Sequence, residues 1–228
     1  QMILVNGDSV TWGCELTEND DDIEYIDKYR YSSLLSAVNI SQKSASNERI
    51  AWNTIKYIEK HGKPDFVIVQ WGNTARFEWY SPTKKDWVYI SARHVSTNFE
   101  STPNKPECVK KAGYSWYRDI DNNHFRDFNF WRQVHHLESY LSDIPHYFFI
   151  AKGNATKYEK SNGNCFYKKI SKWKNMLDYT EIVGDKKTNP DNYCKGQKSW
   201  LGFDRGYGQH LSIKGHQVMA EFLNENII

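Results

Sequence analysis

Short apolar runs, each stopped by a small polar turn, alternate along this chain with stretches whose apolar positions return every three or four residues. The first pattern belongs to strands buried in a parallel sheet, the second to helices laid against it. Met2–Val5, Val38–Ile40, Asp65–Trp71 and Ile144–Ala151, the last centred on Tyr147-Phe148-Phe149-Ile150, are the predicted strands, with Tyr179–Val183 as a short edge strand. Helices are predicted over Tyr31–Ala37, Glu48–Lys60, Phe125–Leu141 and Ser171–Leu177. In the second of these, Ile50, Ala51, Ile55 and Ile58 repeat at helical spacing, Ser46 or Asn47 can cap the start, and His61-Gly62-Lys63-Pro64 ends it. In the third, Phe128, Trp131, Val134, Leu137 and Leu141 make the apolar face. Ser212 can cap a last helix with Val218, Met219, Phe222 and Leu223 on its buried side.

Between these elements lie two stretches: Cys14 to Lys28, acidic and polar, in which Glu18 to Asp22 reads as a solvated loop, and Gly184 to Gly208, which reads as mostly loop. From Tyr80 to about Asn123 the chain loses its periodicity and carries Ser-Pro, Thr-Pro and Lys-Pro punctuation, a long excursion from the sheet. Strand and helix alternate with no internal repeat, which predicts a parallel sheet covered by helices on both faces. At 228 residues the chain is expected to form one such domain, with an insertion around 80–124.

Composition changes this picture little. Thirty Lys and Arg against 28 Asp and Glu leave a net charge of +2, so no nucleic-acid footprint is expected. Cys14, Cys108, Cys165 and Cys194 are scattered and form no CxxC pair, so neither a zinc site nor another metal site is expected, and no cofactor is implied. No apolar run approaches the length of a membrane span, and the N-terminus lacks the basic-then-apolar pattern of a signal peptide; a soluble, cytoplasmic protein is the expectation. Aromatic residues are in excess: 9 Trp, 15 Tyr and 11 Phe make 15% of the chain, and the surplus either fills the core and props up long loops or forms a binding surface, with sugars as partners.

Candidate chemistry starts where the first strand stops. Gly7-Asp8-Ser9 follows Met2–Val5, and residues just past the carboxyl end of a strand face the crevice where open α/β sheets bind ligands. A serine nucleophile needs a base and oxyanion donors. Among eight histidines His210 stands out, because it lies just before the last helix on a loop at an element end, whereas His216 lies inside that helix, in a packing or capping position.

Gly7-Asp8-Ser9-Val10-Thr11-Trp12-Gly13 resembles the first block of the SGNH or GDSL hydrolases, an esterase and lipase superfamily. His210-Leu211-Ser212-Ile213-Lys214-Gly215-His216 resembles their last block, Ser44 to Ile50 the second, and Gly72-Asn73-Thr74 the third. The resemblance implies a flavodoxin-like three-layer α/β/α sandwich around a parallel sheet of about five strands. It also implies Ser9 as nucleophile and His210 as general base. The implied oxyanion donors are the Ser9 backbone N–H, that of Ser44 at the family's glycine position, and the side chain of Asn73 or Thr74. The family's aspartate, three residues before the histidine, is Tyr207 here; Asp204 or a backbone carbonyl is left to orient the imidazole. Asp8 reads as a brace for the turn.

Trp12 and Trp71 flank this site in sequence and belong either to a substrate pocket or to the core. Arg76 and Glu78 either border the pocket or form an ion pair at the sheet edge. The expected activity is hydrolysis of small acyl esters, such as O-acetyl groups of carbohydrates, through an acyl-enzyme. The departures at Ser44, Thr74 and Tyr207 motivate the competing expectation of a binding or structural module that recognises a glycan or a protein partner.

Overall fold

The computed structural model describes residues 1–17, 20–74, 76–82, 85–90, 107–150, 176–177, 179–184, 188–195 and 207–228. In chain order the elements are β1 (Ile3–Asn6), α1 (Ser9–Trp12), α2 (Ile23–Tyr29), α3 (Tyr31–Leu34), β2 (Val38–Asn39), α4 (Asn47–His61), β3 (Phe66–Trp71), β4 (Phe77–Ser81) and β5 (Asp86–Ile90). There follow α5 (Glu107–Ser115) running into a π-helical turn at Trp116–Ile120, α6 (Asn123–Tyr140), β6 (His146–Ile150), α7 (Tyr179–Val183), β7 (Tyr193–Lys195), β8 (Tyr207–Leu211) and α8 (Ile213–Asn226).

The central sheet has strand order β2-β1-β3-β6 and every pair in it is parallel. Because side chains alternate across a strand, each strand feeds two cores. Leu4, Val67, Val69, Trp71, Phe148 and Ile150 point to one face, where Ile50, Ala51 and Ile58 of α4 and Phe130, Val134 and Leu137 of α6 cover them. Ile3, Val5, Ile68 and Phe149 point to the other, against Tyr31, Tyr179, Val183, Met219 and Leu223. The result is the three-layer α/β/α sandwich expected, with four strands in the sheet among the described residues.

Three expectations change. Tyr179–Val183 is a helical turn, not an edge strand: Tyr179 and Val183 both enter the second core while Glu181 between them is exposed, whereas a strand would put all three on one face. Its β-branched residues misled the reading, and packing beside α8 overrode them. Ile23–Tyr29, for which no helix was expected in the polar stretch from Cys14 to Lys28, is a helix whose N-cap Asp22 accepts from the Tyr25 N–H. On α6, Phe128 is exposed and Phe130 takes the buried place. The excursion after β3 carries the antiparallel β4–β5 hairpin, and 184–208 includes the antiparallel β7–β8 pair. The helix expected over Ser171–Leu177 lies mostly outside the described residues.

Four further helices carry side-chain caps at their start, two of them, at Ser46 and Ser212, where the sequence predicted one. Ser46 accepts from the Arg49 N–H at the head of α4, and Ser212 from the Gly215 N–H at the head of α8. Asn122 does the same for α6, and Asp8 for α1. No described helix is long and apolar enough to cross a membrane.

Candidate active site

The turn after β1 is built to a tight tolerance. Asn6 ends the strand and ties it to α4: its Nδ2 donates to the Ile50 carbonyl and to Thr54 Oγ1, both at 2.9 Å, while its Oδ1 accepts from the Gly7 N–H. Gly7 has to be glycine, since a Cβ there would stand 2.4 Å from Thr11 Oγ1. Asp8 is the brace expected: one carboxylate oxygen accepts from the Val10 N–H, and the other pairs with Arg76 Nη1 at 2.5 Å. Ser9 is thereby set as the first residue of α1. Beneath it Thr11 Oγ1 donates to Gln70 Oε1 of β3 at 2.7 Å and meets the Tyr31 hydroxyl at 2.9 Å. Every polar group in this floor has a partner, which is what makes a buried network rigid.

His210 stands on β8 rather than on a loop, four residues into an extended segment whose end is fixed by the Ser212 cap. Close packing seats that cap: a Cβ on Gly215 would lie 2.1 Å from the Asn192 carbonyl oxygen. His210 Nε2 lies 2.9 Å from Ser9 Oγ, across 201 residues of chain. That is the reach of a general base to the proton it takes.

The other imidazole nitrogen meets a carboxylate that the sequence reading passed over. Glu15 Oε1 is 3.1 Å from His210 Nδ1, an ion-pair contact lying off the axis of an in-line hydrogen bond. Gly13 ends α1 in the left-handed conformation, at φ 95°, and Glu15 itself has φ 67°. A non-glycine residue there costs about 1–2 kcal/mol. Asp20 holds it: its Oδ1 accepts the Glu15 N–H at 2.7 Å, its Oδ2 lies 3.3 Å from Lys43 Nζ, and that ammonium sits 4.0 Å from the centre of the Trp12 ring. Cys14, between Gly13 and Glu15, is buried, and burial pushes its thiol pKa far up. It therefore stays protonated and offers no rival nucleophile.

Several expected site residues fall elsewhere. Trp71 is fully buried and packs edge-on against Phe130 and Phe148, so it belongs to the core and lines no pocket. The alternation of β3 decides this, since Trp71 shares the face of Val67 and Val69. Trp12 is half-buried under Lys43. Arg76 and Glu78 do not pair with each other. Glu78 is buried; it accepts the Ser46 N–H at 2.6 Å and pairs with Arg49 at 3.0 Å, so it anchors the head of α4 instead of meeting substrate. Arg76 lines a cleft together with Thr74, Phe77, Trp116, Phe125 and Asn129, in which Phe77 and Trp116 stack at 3.8 Å.

Ser44 has φ 61°, so the second-block loop does demand the left-handed conformation that glycine adopts freely. Asn73 is exposed, and its carbonyl accepts the Arg76 N–H; the Thr74 hydroxyl is buried and has no hydrogen-bond partner among the described residues. Asp204 lies outside the described residues. Among the described residues no group of three or more His, Cys, Asp or Glu is arranged to hold a metal ion.

One turn past the first strand of a parallel sheet thus carries a serine within reach of a histidine from the strand before the last helix. In overall fold the chain is similar to the psychrotrophic esterase EstA from a Pseudoalteromonas species, solved with monoethylphosphonate as inhibitor, at 12% identity and a TM-score of 0.51 over 99% of this chain and 96% of that one. The chain has the fold of the SGNH hydrolases. A member of the lipolytic G-D-S-L family from Veillonella parvula also matches, at 9% identity and a TM-score of 0.49 over 99% and 97% of the two chains. A family two carbohydrate esterase from Clostridium thermocellum, in complex with cellohexaose, matches at 14% identity and 0.42 over 99% and 64%. Of these three the first reaches a TM-score of 0.5, and at its identity it speaks to the SGNH fold alone. No family model matches the sequence, and no curated protein does.

Proposed function

We propose that the protein is a serine ester hydrolase in which Ser9 is the nucleophile and His210 the general base. The observation that carries this reading is the 2.9 Å approach of His210 Nε2 to Ser9 Oγ at the carboxyl end of β1. As Oγ attacks the acyl carbon, Nε2 takes its proton; the tetrahedral intermediate collapses to an acyl-enzyme as the imidazolium returns that proton to the departing alcohol oxygen. Water, deprotonated by the same nitrogen, then attacks the acyl carbon, releasing the acid and restoring Ser9.

The oxyanion in both steps rests on the Ser9 and Ser44 N–H groups together with a third-block side chain. Thr74 supports that last role better than Asn73, because its hydroxyl is buried and lacks a partner among the described residues whereas Asn73 is exposed. The substrates are small acyl esters, with O-acetyl groups on a carbohydrate as the leading class. Phe77 and Trp116 line a cleft beside the polar Thr74, Arg76 and Asn129, a mix of apolar and hydrogen-bonding groups that supports a carbohydrate ester over a purely apolar one. The competing expectation of a binding module has no comparable contact behind it.

A fluorophosphonate probe tests the mechanism. Intact mass and peptide mapping are expected to find one adduct, on Ser9, absent from Ser9→Ala; folded protein that takes no label would overturn the reading. Screening acetylated sugars against short acyl esters of simple alcohols then decides the substrate class.

A further inference from the structure

We infer that Glu15 is the carboxylate that orients His210, so that nucleophile and positioning residue come from one turn. This rests on the reading of Ser9 and His210 as nucleophile and base. Three observations carry it. The imidazole has a neighbour at both ends, with Nε2 on Ser9 Oγ at 2.9 Å and Nδ1 in ion-pair contact with Glu15 Oε1 at 3.1 Å. A carboxylate at Nδ1 holds the proton there, leaving Nε2 free to accept, and stabilises the imidazolium that forms.

Next, the place three residues before the histidine cannot supply this group. Tyr207 to His210 is extended strand, with Tyr207 paired to Lys195 of β7. Three residues of strand span ~10 Å, and the residue at that place is a tyrosine, which carries no carboxylate. Finally, the backbone at Glu15 is held in the left-handed conformation by the Asp20 carboxylate on its N–H, with Lys43 and Trp12 behind. Strain maintained by dedicated contacts next to a reacting group is a mark of a positioned side chain. Among the described residues, charged groups near the pair include Asp20 and Lys43, which offset one another, Asp8, which is bound by Arg76, and Arg30, which pairs with Asp27; buried His216 on α8 adds no charge near neutral pH.

The test compares wild type with Glu15→Gln, Glu15→Asp and Glu15→Gly by Ser9 labelling rate and by the pH dependence of kcat/KM on an ester that the wild type turns over. Glu15→Gln is expected to lose about 10²- to 10³-fold in kcat, less than the ~10⁴ of a fully buried triad carboxylate because Glu15 is 35% exposed. The acid limb of its profile is expected to move to lower pH, since the imidazolium has lost its partner. Glu15→Asp recovers part of the loss. Glu15→Gly relaxes the backbone, so it is expected to melt no lower than wild type while losing as much activity as Glu15→Gln, a split that a merely structural role would not produce. Normal labelling together with unchanged rates and acid limb in the Glu15 variants would overturn the assignment alone, as would a larger loss in Asp204→Asn. A wild type that does not label at Ser9 would overturn both this assignment and the reading beneath it.

Discussion

His210 and His216 stand six residues apart on either side of the Ser212 cap, and the molecule treats them as different substances. His210 is 20% exposed at the sheet edge, with a hydroxyl at one nitrogen and a carboxylate at the other. His216 is wholly buried: its Nδ1 accepts the Tyr31 N–H at 3.3 Å, its ring stacks on the Tyr31 ring, and burial pushes its pKa down to about 3. A histidine that accepts from backbone and lies in an apolar core stays neutral and serves as packing. One that lies between a donor and a carboxylate can carry a proton back and forth. The difference is one of surroundings, because residue type and segment are shared.

Exchanging the losses sharpens this contrast most. His210→Ala is expected to lower kcat/KM by roughly 10⁴- to 10⁶-fold with little change in melting temperature. His216→Ala is expected to do the reverse, costing about 3 kcal/mol of stability while sparing the turnover of molecules that remain folded. Urea melts and ester kinetics on the two variants read both effects, and a His216→Ala enzyme that is stable but inactive would break the comparison.

A second test uses pH. An unfolded histidine titrates near 6.5 and folded His216 near 3, so above pH 6.5 both states are neutral and its contribution is fully present. As pH falls below 6.5 the unfolded chain binds the proton first, and stability is lost down to about pH 3, by up to about 1.4 kcal/mol per pH unit. Chemical denaturation between pH 7 and 5 is expected to show that slope in the wild type and to lack one proton's worth of it in His216→Phe.

The smallest expected effect is at Ser44, in the loop before α4. Ser44→Gly removes a side chain from a left-handed position and is expected to stabilise the fold by about 0.5–1 kcal/mol without slowing ester hydrolysis, readable as a rise in melting temperature. A fall would mean that the Ser44 side chain contributes something its backbone conformation does not reveal.

Much of this architecture was legible because it is local. Met2–Val5 and Asp65–Trp71 could be read as strands from a few consecutive apolar residues, and the Ser46 and Ser212 caps from one polar residue ahead of an apolar helix face. Glu15 was not legible in this way. Nothing local separates it from Glu18 or Asp20 in the same acidic stretch; the signal available was an acid six residues past the serine, just after a glycine able to reverse the chain. Glu78 and Trp71 each kept two possible roles in the sequence for the same reason, since each owes its place to a partner distant in sequence: Ser46 for one, Phe130 for the other.

By itself, then, the sequence determined the alternation of strand and helix, a glycine turn that ends β1 at Ser9, and a histidine just ahead of a capped last helix. These depend on periodicity, on side-chain size and on caps, all of which act within a few residues. Tertiary structure decided which histidine meets Ser9, which carboxylate stands behind it, and that Trp71 and Glu78 serve the fold. Those outcomes depend on contacts between segments that meet only once the parallel sheet has assembled, and a contact spanning 201 residues leaves no mark in the neighbours of either residue.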